Sequence, residues 1–140
     1  MKYAIIETWN GEGYSSENLA YIKEFDNDSI AQKYLESLAH FQTGAENIES
    51  NLGCITYDKG DDQGSFLFIR DADTLFGVVI RTNDNEAFPI TNLRKWKSYL
   101  VEAIEQAEPE ELYELDLSAD DFFIGAYDGD YDYQFVKFEK

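Results

Sequence analysis

The sequence predicts a single α+β domain: a mainly antiparallel sheet of about six or seven strands with two amphipathic helices packed on it. Three observations lead there. Short apolar or alternating runs recur along the chain, each bounded by Gly, Asn or Asp. Two longer stretches carry apolar residues at helical spacing instead. No Pro/Gly/Ser-rich linker, internal repeat or low-complexity run divides the 140 residues, so one domain, residues 1–140, is the expectation.

Lys2 to Trp9 alternates weakly and reads as the first strand, followed by the turn pair Asn10-Gly11. Gly11 to Asn18 is polar loop, and Leu19 to Phe25 a second strand. Asp26-Asn27-Asp28-Ser29 offers helix caps, with Ser29 and Gln32 spaced as a capping box. Ile30, Tyr34, Leu35, Leu38, Ala39 and Phe41 form the stripe of a first helix ending near Gly44. Leu52 to Tyr57 reads as a strand and Asp58 to Gly64 as a loop. Ser65 to Arg70 and Leu75 to Arg81 are nearly continuous apolar runs, the pattern of central strands buried on both faces, separated by the turn Asp71 to Thr74. Thr82 to Phe88 reads as polar loop.

Thr91 or Asn92 caps a second helix with the stripe Leu93, Trp96, Leu100, Ile104 and Ala107, and Pro109 ends it. A short separate turn over Glu110 to Leu115 is compatible with the pattern. Phe122 to Tyr127 and Asp130 to Phe138 flank Asp128-Gly129, the pair favoured in a tight type I′ hairpin. A two-residue loop sets Ala126 opposite Tyr131, Ile124 opposite Tyr133 and Phe122 opposite Phe135, all on one oily face. The other face then carries Phe123, Gly125, Tyr127, Asp130, Asp132 and Gln134.

Charge dominates the composition. There are 29 Asp and Glu against 11 Lys and Arg, a formal net charge of -18, on a chain that is 44% hydrophobic and 16% aromatic. So acidic a chain with few aromatics would read as disordered; ten Tyr, ten Phe and two Trp place the acid on a packed body. Residues 1–100 hold 16 acids and 9 bases, net -7; residues 101–140 hold 13 acids and 2 bases, net -11. The second helix starts with Arg94, Lys95 and Lys97 and ends with Glu102, Glu105 and Glu108, the reverse of the order its dipole prefers. Either a polarity with a use of its own or pairing of Arg94 and Lys97 with acids elsewhere accounts for that.

The acidic balance argues against direct nucleic-acid binding, which draws on Lys and Arg, and against anionic membranes. No stretch approaches the roughly 20 apolar residues of a membrane span, and the N-terminus lacks a signal-peptide pattern. The single cysteine, Cys54, excludes an internal disulfide. A cytoplasmic protein is the expectation, in the host cell if phage-encoded.

Duplex DNA carries about one charge per 1.7 Å of axis, so eighteen charges match roughly 30 Å of duplex. A globule of this length has a radius of gyration of roughly 14 Å. The chain thus carries net charge comparable to a DNA segment of its own size. Small acidic inhibitors of nucleic-acid enzymes, among them phage anti-defence proteins and immunity proteins of nuclease toxins, use that physics. The likeness is one of composition, without a family motif. The expected function is a non-enzymatic DNA- or RNA-mimic that occupies the basic surface of a nucleic-acid-binding protein or nuclease. Glu102, Glu105, Glu108, Glu110, Glu111, Glu114, Asp116, Asp120 and Asp121, extended by Asp130 and Asp132, are its candidate partner-binding residues.

Two other readings stand beside it: a calcium-binding acidic protein, and a structural or assembly subunit whose acid serves solubility. Asp128, Asp130 and Asp132, with Glu139, match the spacing of an EF-hand, but Tyr133 stands at the required glycine and a strand follows. They remain weak metal candidates, as do Asp58, Asp61 and Asp62. Gly11-Glu12-Gly13 lacks the third glycine or Lys-Ser/Thr of a phosphate loop. His40 and Cys54 are the only histidine and cysteine, in different elements, and form no usual zinc set. Three arginines, Arg70, Arg81 and Arg94, are few for an enzyme of anionic substrates. No catalytic residue and no cofactor is predicted.

Overall fold

The computed structural model describes residues 1–11, 18–107, 109–113, 115–125 and 131–138. The chain forms two compact units, Met1–Asp73 and Thr74–Lys140, each an antiparallel sheet with one long helix.

In the first unit, β1 (Lys2–Trp9) pairs with β2 (Leu19–Glu24) and β5 (Asp62–Ile69). β4 (Cys54–Lys59) and β3 (Glu46–Asn51) follow, giving the order β2-β1-β5-β4-β3. Period-two alternation brings Tyr3, Ile5, Ile55, Tyr57, Phe66 and Phe68 together on one face. Helix α1 (Asp28–Phe41) lays Ala31, Leu35 and Ala39 on them, completing a core. The cap is Asn27, whose side-chain oxygen accepts from the Ile30 N–H at 3.0 Å. The Ser29 capping box does not form. Of the expected stripe, Tyr34, Leu35, Leu38 and Ala39 pack on the core, while Ile30 and Phe41 at its ends are exposed and Ala31 joins the buried face instead. Asp28 ties the helix start to the sheet, accepting from Tyr3 Oη and Arg70 Nε, both at 2.7 Å. At Gly64, paired with both Trp9 and Tyr57, the missing Cβ leaves room for those two rings to stack across the strand, 6.1 Å apart and 7° from parallel.

A 3₁₀ turn, Ala72–Thr74, spans the boundary. In the second unit, β6 (Gly77–Arg81) lies between β7 (Glu86–Ile90) and β9 (Tyr133–Lys137), with β8 (Asp121–Ile124) outside β9. Helix α2 (Leu93–Gln106) is capped by Asn92 through the Lys95 N–H, one of the two expected caps, and α3 (Pro109–Leu112) follows. Val79, Ile90, Trp96, Ala103, Phe122, Ile124, Tyr133 and Phe135 form the core. Trp96 is its centre, edge-on to Phe76 and Phe135 at 5.3 Å and to Phe122 at 6.2 Å.

Among the described residues there are nine strands in two sheets, rather than six or seven in one. The two unforeseen strands are β3 and β7. β3 (ENIESN) is exposed at all six positions, so no apolar alternation marks it. β7 is an edge strand containing Pro89, which removes a ladder donor. The two apolar runs are interior strands, β5 and β6, as expected, but of different sheets. The last hairpin keeps its predicted register, Phe122 opposite Phe135 and Ile124 opposite Tyr133. Its tip, Asp128-Gly129, lies outside the described residues, as does Ala126. Tyr131 leaves the expected oily face: it is exposed and lies against the Arg81 guanidinium at 4.2 Å.

Candidate acidic interface

A folded acidic surface is defined by where its carboxylates stand and what neutralises them. The first unit holds 14 acids and 5 bases, the second 15 acids and 6 bases, so each carries a net -9. The C-terminal excess seen by dividing the sequence at residue 100 disappears at the structural boundary, because Arg81, Arg94, Lys95 and Lys97 belong to the second unit.

In the second unit Glu102 and Glu105 are exposed on α2, and Glu110 on α3. Asp116 is exposed and bonds Ser118 through both its hydroxyl (2.5 Å) and its N–H (3.0 Å). Those donors hold its carboxyl below the ordinary range. Asp120 precedes β8 and Asp121 opens it; Asp121 accepts from Gln134 Nε2 at 3.0 Å. Glu108, Glu114 and Asp130 lie outside the described residues, as does the side chain of Glu111.

The β8–β9 register separates these groups. Asp121 is opposite Val136, whereas Asp132 precedes Tyr133 at the other end of the ladder, opposite Ile124. At 3.3 Å or so per residue, Asp121 and Asp132 stand roughly 13 Å apart along the strands. Asp132 is half-buried; its N–H donates to Asn83 Oδ1 and its carbonyl accepts from the Thr82 N–H. Glu102 belongs to that same end, accepting from Tyr133 Oη at 3.4 Å. Burial, then the Glu102 charge, raises the Tyr133 phenol above its usual range.

Two acids missed in the sequence also gather there. Arg81 donates to Asp84 and Glu86, with ion-pair distances of 2.7 and 2.9 Å. The signal was present in Arg81-Thr-Asn-Asp-Asn-Glu86, a hairpin loop with carboxylates within reach of the strand's last side chain. Arg81 is therefore neutralised locally. Arg94, Lys95 and Lys97 are exposed and, among the described residues, form no ion pair. Among the described residues, no ion pair of these bases balances the reversed polarity of α2; Lys95, Ser98, Tyr99 and Glu102 line a hollow of about 270 Å³ along it.

The metal candidates do not converge. Asp128 and Asp130 lie outside the described residues. The expected loop from Asp58 to Gly64 is mostly strand: Lys59 pairs with Asp62, leaving Gly60-Asp61 as the turn. Asp58 then points to the opposite face from Asp62 and accepts from Asn47 Nδ2. Among the described residues, no three of His, Cys, Asp and Glu gather into a metal-holding group. Cys54 is half-buried, and burial raises its thiol pKa; His40 is exposed beside Phe41.

Among the described residues no helix is long and apolar enough to cross a membrane. Comparison with family models, with curated proteins and with solved structures finds no match to this chain.

Proposed function

We propose that the protein is a non-enzymatic acidic binding protein that occupies the basic, nucleic-acid-binding surface of a partner and excludes DNA or RNA from it. The observation that carries this reading is the net -9 on each folded unit: the charge is a property of both packed bodies, not of a tail. Glu102, Glu105, Glu110, Asp116, Asp120 and Asp121 are exposed carboxylates that can steer a cationic groove onto the second unit. Each Lys or Arg they engage is one withdrawn from phosphate. Affinity then falls steeply with salt, as it does for the nucleic acid displaced.

The test is a pull-down from native-host lysate with the wild type and with a variant carrying E102Q, E105Q, E110Q, D116N, D120N and D121N. Capture of a nucleic-acid-binding protein by the wild type alone, released by salt or by competing duplex DNA, is expected. Equal capture by both forms, or affinity unchanged between low and high salt, would sink the proposal and leave the acid as a solubility device.

A further inference from the structure

The geometry points to β3 as a docking edge that takes an extended, basic segment of a partner protein as an added strand, with an aliphatic side chain of that segment seated between β3 and α1. This does not rest on the nucleic-acid-surface reading, which concerns acids of the second unit.

The first observation is topological. Leaving β3 aside, the first unit has the order β2-β1-β5-β4 and the second β7-β6-β9-β8, with the same connectivity and the helix inserted after the second strand. Among the described residues, β3 is the one strand of the first unit without a counterpart in the second. Among those residues it pairs with β4 alone, regularly over Glu49–Asn51 and with a register shift between Glu46 and Glu49, and all six of its residues are exposed. An element that buries no side chain adds little to the core, yet its free edge presents backbone N–H and C=O groups that only water or another strand can satisfy.

The second observation is the groove beside it. α1 packs over β4 and β5, so β3 projects past the helix. Between them lies a hollow of about 230 Å³, with Ile55 and Ala39 at its base, Ile48 and Ser50 on the strand side, and Glu36 and His40 on the helix side. Ile48 and Ser50 both line it, at and just past the register shift between Glu46 and Glu49. The volume is below the roughly 300–1,000 Å³ of small-molecule sites, and suits a side chain instead. Gln32 fixes the width at one end. Its Nε2 donates to the Asn51 carbonyl at 2.9 Å, and its Oε1 accepts from the Gly53 N–H at 2.7 Å. An unpaired edge beside a side-chain pocket is the arrangement that binds peptides by strand addition.

Charge selects the occupant. β3 carries Glu46 and Glu49 and no base, and Glu36 stands on the helix rim. A second copy paired here would set glutamates against glutamates, on two bodies of net -18. A strand with Lys or Arg flanking an aliphatic residue meets opposite charge at every one of these positions.

The test titrates the full-length ¹⁵N-labelled chain with the peptide acetyl-Lys-Val-Lys-Leu-Lys-Val-amide and with its analogue N-methylated at alternate residues. The expected result is saturable amide shifts over 46–51 and 36–40. Binding should be about tenfold weaker for the methylated peptide, which loses one or two main-chain hydrogen bonds. It should weaken by a similar factor for Ile48→Lys, a half-exposed position whose substitution leaves the core intact. Equal binding of the methylated peptide, shifts confined to residues 102–121, or no shift at millimolar peptide would each overturn the proposal. So would sedimentation showing a dimer that Ile48→Lys dissociates, which would make a second copy the occupant.

Discussion

The two units solve the same folding problem with the same connectivity and place their differences on the surface. Each has a first hairpin, then a 14-residue helix capped by an asparagine, then a return hairpin whose last strand joins the first. Each carries a net -9. The first unit adds β3 at the sheet edge and starts α1 with Asp28 and ends it with His40, in the order the dipole favours. The second has no added strand, and α2 has no acid in its first turn and no base in its last. A shared scaffold is what packing demands; an unburied strand and an inverted helix are not, and so they are where function is to be sought.

The cores differ in how concentrated they are, and truncation there gives the largest effect. Trp96 touches Phe76, Phe122 and Phe135, and Phe135 links it on to Tyr133. Trp96→Ala is expected to cost roughly 3–5 kcal/mol, and Leu35→Ala in the first unit roughly 2–5 kcal/mol. Gly77→Ala belongs with the former, because a Cβ there would meet the Val136 carbonyl oxygen as well as the Trp96 ring, and backbone cannot swing aside. Urea unfolding followed by circular dichroism measures all three. A cost below about 1 kcal/mol for Trp96→Ala would end the claim that this unit is organised around one residue.

Next in size are the caps. Asn27→Ala and Asn92→Ala each remove one side-chain acceptor from a helix start, at about 1 kcal/mol. The chain has two tryptophans, one per unit, so Trp96→Phe leaves Trp9 reporting on the first unit and Trp9→Phe leaves Trp96 reporting on the second. Equal losses sharpen the comparison; a loss confined to one unit would show that the two helices are not equivalent supports.

What was legible in the sequence was whatever burial writes into it. Both helices, the interior strands and the Phe122/Phe135 register follow from apolar spacing, because a slip would expose those rings. The two edge strands that were missed write little: Glu46–Asn51 shows no alternation, and Pro89 disguises β7, whereas edge strand β8 buries Phe122 and Ile124 and was legible. The division into two sheets was illegible because β5 and β6, adjacent in sequence and equally apolar, look like partners although each pairs elsewhere. The common connectivity of the units left no trace either, since topology constrains which positions are apolar and not which residues fill them. Of the candidate acids, the sequence could count charges; it could not show that Asp121 and Asp132 lie at opposite ends of one ladder.

Acid separates the units by a smaller margin, through one carboxylate in each. Asp28 is held below the ordinary carboxylate range first by its hydrogen bonds from Arg70 and then by Tyr3, partners that only folding brings near. Asp116 is held down by Ser118, two residues away, a contact the unfolded chain can also form. A depressed folded-state pKa stabilises above the unfolded value, near 4, and that stabilisation is lost as pH falls through the folded value. Asp28→Asn is therefore expected to flatten the fall in urea midpoint below about pH 4, whereas Asp116→Asn leaves the slope nearly as it was. Equal flattening by both would mean that the Ser118 contact is also specific to the fold.

The smallest expected effect defines β3. Ile48 is the one large aliphatic residue of that strand and is 47% exposed. Ile48→Thr keeps a β-branched side chain, so strand preference is preserved, and removes apolar surface of which about half is already open to water. Stability should stay within about 0.5 kcal/mol of wild type. Phe122→Ala, on the counterpart of β4 in the second unit, loses a ring stacked on Phe135 at 5.0 Å and should cost roughly 3 kcal/mol or more. If Ile48→Thr instead destabilised by more than about 1 kcal/mol, β3 would be part of the packing after all. A near-zero value, combined with weaker peptide binding by the same variant, would separate the strand's role from the scaffold's: the four strands shared by both units hold the fold, and the fifth is free to recognise something else.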